Sequence, residues 1–283
     1  ANDGARRSDA LLRWSQFIAL AVGHLGQRHS LRDIEEAALA SDPKLHYHPG
    51  TRAVRKSALA RANESLAADF YKDLFGALYA RLQATHVLPG KRFRFKGKLF
   101  SLDGSLIDLS MKVFPWADVA PEKAAFKLYL GLDHDGLIPA FAEVTEGLTS
   151  EMDTVDTFDF RKGIVLVLDR GYSRYTWHKQ LTDKGLFWVT RARKCMRYEV
   201  AQARKVADGG NIISDQIVRL SNKKAREAGV PDIRRIEYRD PASGKLYVFI
   251  TNHQRWSAQK VADIYKSRWE VELFFKWTKQ NLK

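Results

Sequence analysis

Gly163-Ile164-Val165-Leu166-Val167-Leu168-Asp169-Arg170-Gly171-Tyr172 is the stretch that decides the fold class. From Gly163 to Leu168 the chain is apolar without a break, too short for a helix, and fits a strand buried on both faces. It ends in a carboxylate. Open α/β sheets bind ligands beyond the carboxyl ends of their strands, so Asp169 stands where chemistry is expected. Upstream, Lys98–Ser105, Ala125–Leu132 and Leu137–Thr145 read as three strands, with Asp133-His134-Asp135-Gly136 as the turn between the last two. Downstream, residues 174–183 read as a helix and Leu186–Arg191 as a fifth strand. Three strands followed by alternating helix and strand predict a mixed α/β sheet covered by helices.

Farther out, Tyr198–Ala201, Ile212–Leu220, Ile233–Tyr238 and Leu246–Ile250 are β-like, with Asp240-Pro241-Ala242-Ser243-Gly244 as a hairpin turn. A final helix is predicted from Ser257, its N-cap, to the chain end. At the other end, residues 8–27 read as a helix with Leu11, Leu12, Phe17, Ile18 and Val22 on one side. Ser30 caps a short helix, Leu31 to Leu39, with Asp33, Glu35 and Glu36 near its positive end. Ser41-Asp42-Pro43 and His48-Pro49-Gly50 break the chain, and one long helix is predicted from Arg52 to Gln83. Its start is basic, with Arg52, Arg55, Lys56 and Arg61. Short helix, turn and longer basic helix are a helix-turn-helix signal, and a plain helical bundle with a charged face fits the same pattern. Pro89-Gly90, followed by Lys91, Arg92, Arg94 and Lys96, marks a boundary.

The chain of 283 residues carries 47 Lys and Arg against 33 Asp and Glu, a formal charge of +14. It is 45% hydrophobic, which excludes wholesale disorder. It has no run of eighteen apolar residues, no signal-peptide pattern at Ala1-Asn2-Asp3-Gly4, and one cysteine, Cys195. These features predict an intracellular soluble protein with a polyanionic partner and no membrane span. The charge is uneven: residues 1–96 carry +7, residues 97–150 carry −4, residues 151–190 are neutral and residues 191–283 carry +11. Basic flanks neutralise phosphates. An acidic middle opposes that unless it holds metal ions, and a balanced solvated surface is the plainer account.

Three acids stand out. Asp103 lies late in the first sheet strand, in Leu102-Asp103-Gly104-Ser105; Asp169 ends the buried strand; Glu272 lies on the last helix. On one straight helix, Tyr265, Arg268, Glu272 and Lys279 fall within about 60° of arc. One carboxylate is thus ringed by a phenol, a guanidinium and an ammonium, amid Trp269, Val271, Leu273, Phe274 and Phe275. Such a row either faces a wet site or is a solvated stripe with Arg268 and Glu272 as an i,i+4 pair. Asp108 is read as a surface or strand residue and Asp133 and Asp135 as turn acids. His46 and His48 show no ligand spacing, and Trp188 and Trp256 are read as core or support.

Tyr265-x2-Arg268-x3-Glu272-x6-Lys279 matches the Y-x2-R-x3-E-x6-K signature of bacterial insertion-sequence DDE transposases. Its context from Ile264 to Gln280, together with Leu102–Ser105 and Val167–Tyr172, resembles that family. So do Ser30-Leu31-Arg32-Asp33-Ile34 and Ser57-x5-Asn63, as part of a DNA-binding N-terminal domain. The resemblance implies an RNase-H-like mixed sheet flanked by helices, with a helical N-terminal domain and a β-rich insertion domain. It implies Asp103, Asp169 and Glu272 as a triad holding two Mg²⁺ or Mn²⁺ ions per active site, a cofactor that carboxylate oxygens suit. By the same resemblance Tyr265, Arg268 and Lys279 contact phosphates. Arg170 either orients Asp169 or touches DNA.

The domains expected are residues 1–90, helical and DNA-binding; 91–195, the first part of the catalytic core; 196–249, the insertion; and 250–283, the final core helix. Further C-terminal helices of the family are expected to be absent from this sequence. The function implied is a transposase that binds the terminal inverted repeats of its element and catalyses metal-dependent 3′-end cleavage and strand transfer. Its partners would be double-stranded DNA at element ends and target, and a second copy in a synaptic homodimer, in the bacterial cytoplasm at the nucleoid. The alternatives are an inactive sequence-specific DNA-binding protein and an RNase-H-like structure-specific nuclease.

Overall fold

The computed structural model describes residues 7–40, 55–67, 69–85, 93, 97–108, 125–146, 160–172 and 174–281. The chain divides into two compact units, residues 1–77 with 277–283, and residues 78–276. Arg52, His46 and His48 lie outside the described residues.

The first unit is helical: α1 (Arg7–Leu25), α2 (Leu31–Ala40), α3 (Lys56–Ser65) and the start of α4 (Asp69–Ala84). Ser30 caps α2 as predicted. Its Oγ accepts from the Asp33 amide at 3.1 Å, and the Asp33 carboxylate accepts from the His29 amide at 3.1 Å, a reciprocal pair that satisfies two free amides. The ion-favouring contact with Ser30 holds the Asp33 carboxyl below its ordinary range. Leu59 and Ala62 of α3 and Ile34 of α2 are buried. Gln16 donates from Nε2 to Asn63 Oδ1 at 2.6 Å, so Asn63 ties α3 to α1. Arg55, Lys56 and Arg61 are exposed.

The single helix expected over Arg52–Gln83 is two helices in the structure. Leu66 turns extended (φ −90°, ψ 132°) and ends α3. Ser65 Oγ bonds back to the Arg61 carbonyl at 2.7 Å, a side-chain capture that competes with the helical ladder. The apolar spacing of Leu59, Leu66, Phe70 and Leu74 runs through this break, so periodicity alone hid it.

The second unit is built on one nine-stranded sheet, ordered β3-β2-β1-β4-β5-β9-β8-β7-β6. The strands are β1 (Leu99–Asp108), β2 (Ala125–Asp133), β3 (Ile138–Glu146), β4 (Val165–Leu168), β5 (Phe187–Arg191), β6 (Tyr198–Ala203), β7 (Ile212–Leu220), β8 (Ile233–Arg239) and β9 (Leu246–Thr251). β1 pairs antiparallel with β2 and parallel with β4, and β4 is parallel to β5. This is the mixed-sheet arrangement of the RNase-H-like fold. The helices of this unit are α5 (Tyr175–Asp183), α6 (Lys223–Glu227), α7 (Ala258–Ser267) and α8 (Trp269–Asn281), the last reaching into residues 277–283.

β4 is buried along its whole length, as its unbroken apolar run requires. Leu166 and Leu168 pack with Leu102, Trp177, Leu181 and Trp188 on one face; Val165 and Val167 pack with Leu99, Val261, Ile264 and Tyr265 on the other. Gly163, at φ +86°, makes the left-handed turn that starts the strand.

The β-rich stretch 196–249 is continuous with this sheet. β9 pairs antiparallel with β5, setting Val189 opposite Thr251 and Arg191 opposite Phe249. β8, β7 and β6 follow as an antiparallel meander. The short α6 in this stretch was not predicted; Asn222 caps it, accepting from the Ala225 amide at 2.7 Å. Arg234 of β8 is buried beside Asp215 of β7 and joined to it by two hydrogen bonds, of 2.8 and 2.6 Å; the same guanidinium donates to the Trp256 carbonyl.

The predicted final helix is also divided. α7 begins at Ser257, whose Oγ accepts from the Lys260 amide at 3.1 Å, and stops at Ser267. Arg268 is a one-residue turn, after which α8 runs on. Ser267 Oγ takes the Ile264 carbonyl at 2.6 Å, and the Arg268 and Val271 amides make tighter bonds three residues back. Tyr265 and Glu272 therefore sit on different helices.

Candidate active site

The pleat decides where the two aspartates point. Successive side chains alternate faces, so Asp103 shares the face of Leu99, and Asp169 continues the face of Val165 and Val167. Both meet the α7 and α8 side of the sheet. Leu102 lies opposite Leu168 in the parallel β1–β4 register, so the two carboxylates follow as neighbours at the carboxyl edge.

Arg268 gathers the cluster. Its Nη1 lies 3.7 Å from Asp103 Oδ2 and its Nε lies 4.0 Å from Asp169 Oδ1. Its Nη2 donates to Glu272 Oε1. Three carboxylates from β1, the end of β4 and α8 thus share one guanidinium. The i,i+4 pair of Arg268 and Glu272 is therefore part of this cluster. The Arg268 side chain is only 13% exposed and Asp103 20%, so these charges interact through a partly dry medium. The Asp103 amide neighbour also contributes: Gly104 N–H donates to Asp103 Oδ1 at 2.9 Å.

Burial pushes the Asp103 carboxyl up to about 6; Arg268 and the Gly104 amide oppose that, while Asp169 and Glu272 add to it. This has a sign for stability. An unfolded Asp ionises near 3.8, so between about pH 4 and 6 the folded chain holds a proton that the unfolded chain has lost. Without metal, this group makes the fold less stable as pH rises through that window. Asp103→Asn should therefore gain on the parent protein between pH 4 and 6.5 in EDTA, by ~1–3 kcal/mol in denaturant unfolding. A constant difference across that range would contradict the assignment.

Around the guanidinium, Tyr265 is buried with its ring 5.6 Å from Arg268 Cζ, and burial raises its phenol above the ordinary range. A cavity of about 310 Å³ borders Arg268, lined by Arg191, Tyr247, Phe249, Tyr265, Lys266 and Trp269 among others. Arg191 lies 4.9 Å above the Tyr247 ring, and Lys266 donates to Tyr238 Oη at 2.7 Å. No sequence signal marked Arg191, Tyr247 or Lys266. The β5–β9 pairing and the break before α8 bring them to Arg268.

The remaining predicted residues distribute more widely. Lys279 is exposed on the last turns of α8, within the residues grouped with the helical unit. Arg170 is exposed on the short turn Arg170–Tyr172, and the cation beside Asp169 is Arg268. Asp133 is fully buried, accepting from Lys98 at 2.5 Å, Tyr79 at 2.6 Å, Gln83 at 3.0 Å and its own turn at Asp135. It is a turn acid, as read, and also a pin for α4. Trp188 stacks on His178 at 4.3 Å and Trp256 on His253 at 3.7 Å, which makes both supporting residues. The Asp108 side chain lies outside the described residues.

The donor set suits a hard divalent cation: three carboxylates, all oxygen, around one partly buried positive charge. Among the described residues, no three acidic, imidazole or thiol groups stand close enough to enclose an ion as they are. The guanidinium is the charge they share.

An acidic cluster at the carboxyl edge of a sheet in this strand order defines the RNase-H-like class. Comparison with known proteins then gives the family. The Transposase DDE domain matches residues 99–283, and the chain belongs to that family. Residues 2–52 match a separate domain of unknown function. A Sinorhizobium fredii protein named as a transposase, y4zB, is 28% identical over 229 residues, covering 80% of this chain and 62% of that protein. A Geobacillus stearothermophilus protein named as a transposase for insertion sequence element IS5377 is 24% identical over 279 residues, 98% of this chain and 69% of the other. The chain thus spans under two thirds of the length of the first relative. Among solved structures, the NurA nuclease of Sulfolobus solfataricus aligns with TM-score 0.31 at 7% identity, over 71% of this chain and 85% of that one.

Proposed function

We propose that this chain is the DNA-processing part of a transposase that cuts the 3′ ends of its own element and joins them to target DNA. The observation that carries the reading is the convergence of Asp103, Asp169 and Glu272, from three separate elements, on Arg268. Asp103, Asp169 and Glu272 would hold the two Mg²⁺ or Mn²⁺ ions. Bound there, the ions would supply Lewis acidity at the phosphoryl oxygens and stabilise charge on the attacking and departing oxygens. The chain's own residues do the rest. Three carboxylates fix the ions at the strand edge, where a DNA backbone can approach. Arg268, released toward phosphate, neutralises charge beside the cut, since a planar guanidinium can donate two parallel hydrogen bonds to a phosphate. Tyr265 walls that position, and Lys279 and Arg170 offer further phosphate contacts.

Arg55, Lys56 and Arg61, exposed on the helical unit, support binding of terminal inverted repeats there, with Arg52 beside them in sequence. The domain roles assigned from sequence to residues 1–90, 91–195, 196–249 and 250–283 belong to this proposal, as does a homodimer that pairs two ends at the nucleoid. Among the described residues no helix is long and apolar enough to cross a membrane. The test is strand cleavage and transfer on duplexes carrying the inverted repeats that flank the gene, with Mg²⁺ and with EDTA. Metal-dependent cutting at the repeat end is expected. Cutting that ignores the repeat sequence would favour a structure-specific nuclease, and metal-indifferent binding without cutting would favour an inactive binder.

A guanidinium that occupies the centre of the carboxylates competes with ions for them. Arg268→Ala should therefore strengthen Mn²⁺ binding to the DNA-free protein by about tenfold or more, since a unit charge near 4 Å from a partly buried carboxylate is worth over 1 kcal/mol. Mn²⁺ titration followed by electron paramagnetic resonance measures it. Unchanged affinity would remove Arg268 from the centre of the site.

A further inference from the structure

A second concave surface opens on the sheet unit, with a volume of about 660 Å³. Three segments line it: Gly171 and Arg174–Thr176 at the start of α5, Arg193, Cys195 and Met196 after β5, and Asn222–Ala225 at the start of α6. Its charges among the described residues are Arg174, Arg193, Lys223 and Lys224, and none of the described residues lining it is acidic. All four are exposed. Arg174 precedes α5 without making a side-chain cap bond. Lys223 approaches Glu227 no closer than 3.8 Å and stays 84% exposed. Four exposed cations gathered on three separate segments raise the local positive potential.

Such a hollow suits a chain of phosphates better than one small anion. A single anion is held tightly by buried donors converging on a point. Here the cations are solvated and spread around a space of nucleotide size or more, the pattern of a groove that follows a backbone. The half-buried Tyr175 ring adds an apolar wall. Gly171 at its rim lies two residues after Asp169, beyond the carboxyl end of β4.

We infer that this hollow is a DNA-backbone site, separate from Arg268 and its neighbours, which holds a strand beyond the carboxyl end of β4; the inference rests on the proposed action on DNA. Cys195, the single cysteine of the chain, is exposed in the hollow and reports on it directly. The experiment uses the 283-residue chain, with binding to element-end duplex followed by mobility shift and Cys195 followed by maleimide alkylation. Saturating DNA is expected to slow alkylation by about tenfold or more, as a bound ligand hides the thiol. The double variant Arg174→Ala/Lys224→Ala should lower the slope of log affinity against log salt by about 1–2, since each lost phosphate contact removes about 0.9. DNA that binds yet leaves both the alkylation rate and the salt slope unchanged would overturn this site and leave the action on DNA standing. A chain that binds no DNA would overturn both. The alkylation arm needs no substitution, so a variant that fails to fold does not blunt the test.

Discussion

Asp169→Ala is expected to cut strand cleavage by about a thousandfold or more while leaving end-DNA binding within a few-fold of the parent. A clamp of two divalent ions supplies several kcal/mol to the transition state, and ~4 kcal/mol corresponds to about a thousandfold in rate. Asp169 is the most exposed of the three carboxylates and ends a rigid, fully buried strand. Its removal should therefore disturb the fold least, which makes it the cleanest test. Asp103→Ala and Glu272→Ala should lose cleavage to a similar degree. They differ from Asp169→Ala in the free protein, because Asp103 is more buried and Glu272 makes the closest contact with Arg268. Cleavage on a pre-nicked end duplex measures the chemical step, and a mobility shift measures binding. If Asp169→Ala kept the parental rate, the triad assignment would fail.

Arg234→Ala is expected to produce the largest loss of stability among single substitutions in the sheet unit. Arg234 is 2% exposed and Asp215 8%, and the pair is joined by two hydrogen bonds. Removing the guanidinium strands a buried carboxylate, which costs about 3–5 kcal/mol. For a chain of this size that corresponds to a fall in Tm of roughly 6–20 °C. The loss should reach the active site, because the same guanidinium holds the Trp256 carbonyl just before α7, the helix that leads to Arg268. The paired replacement Arg234→Met/Asp215→Leu should recover most of the Tm, since the cost lies in the unpaired charge. Thermal unfolding of the two variants checks both statements. A drop below about 2 °C for Arg234→Ala would mean that Asp215 finds another partner or water.

Much of this could be read from the chain itself. The buried strand over Gly163–Leu168, the hairpin at Asp133–Gly136 and the caps at Ser30 and Ser257 all follow from local chemistry. Each is specified by residues adjacent in sequence. Both misread helices failed for one reason. At each break a serine, Ser65 or Ser267, bonds back to a nearby carbonyl, while the apolar spacing runs on undisturbed. Hydrophobic period reports which face is buried, and it carries no information on whether the backbone ladder is interrupted. The break at Arg268 is the consequential one, because it falls on the residue that meets all three carboxylates.

The sequence by itself determined the mixed sheet, the three acids and the signature that ties them to a transposase family. Those depend on residue type, on alternation along a strand and on spacing within one segment. Only the tertiary structure decided that Arg268 stands among all three carboxylates, that Arg191 and Tyr247 border it, and that the stretch 196–249 extends the same sheet. These depend on strand pairing between segments some sixty residues apart, as in Val189 with Thr251, and on a one-residue turn. No local pattern encodes such contacts, because the groups that meet share neither a helix face nor a strand.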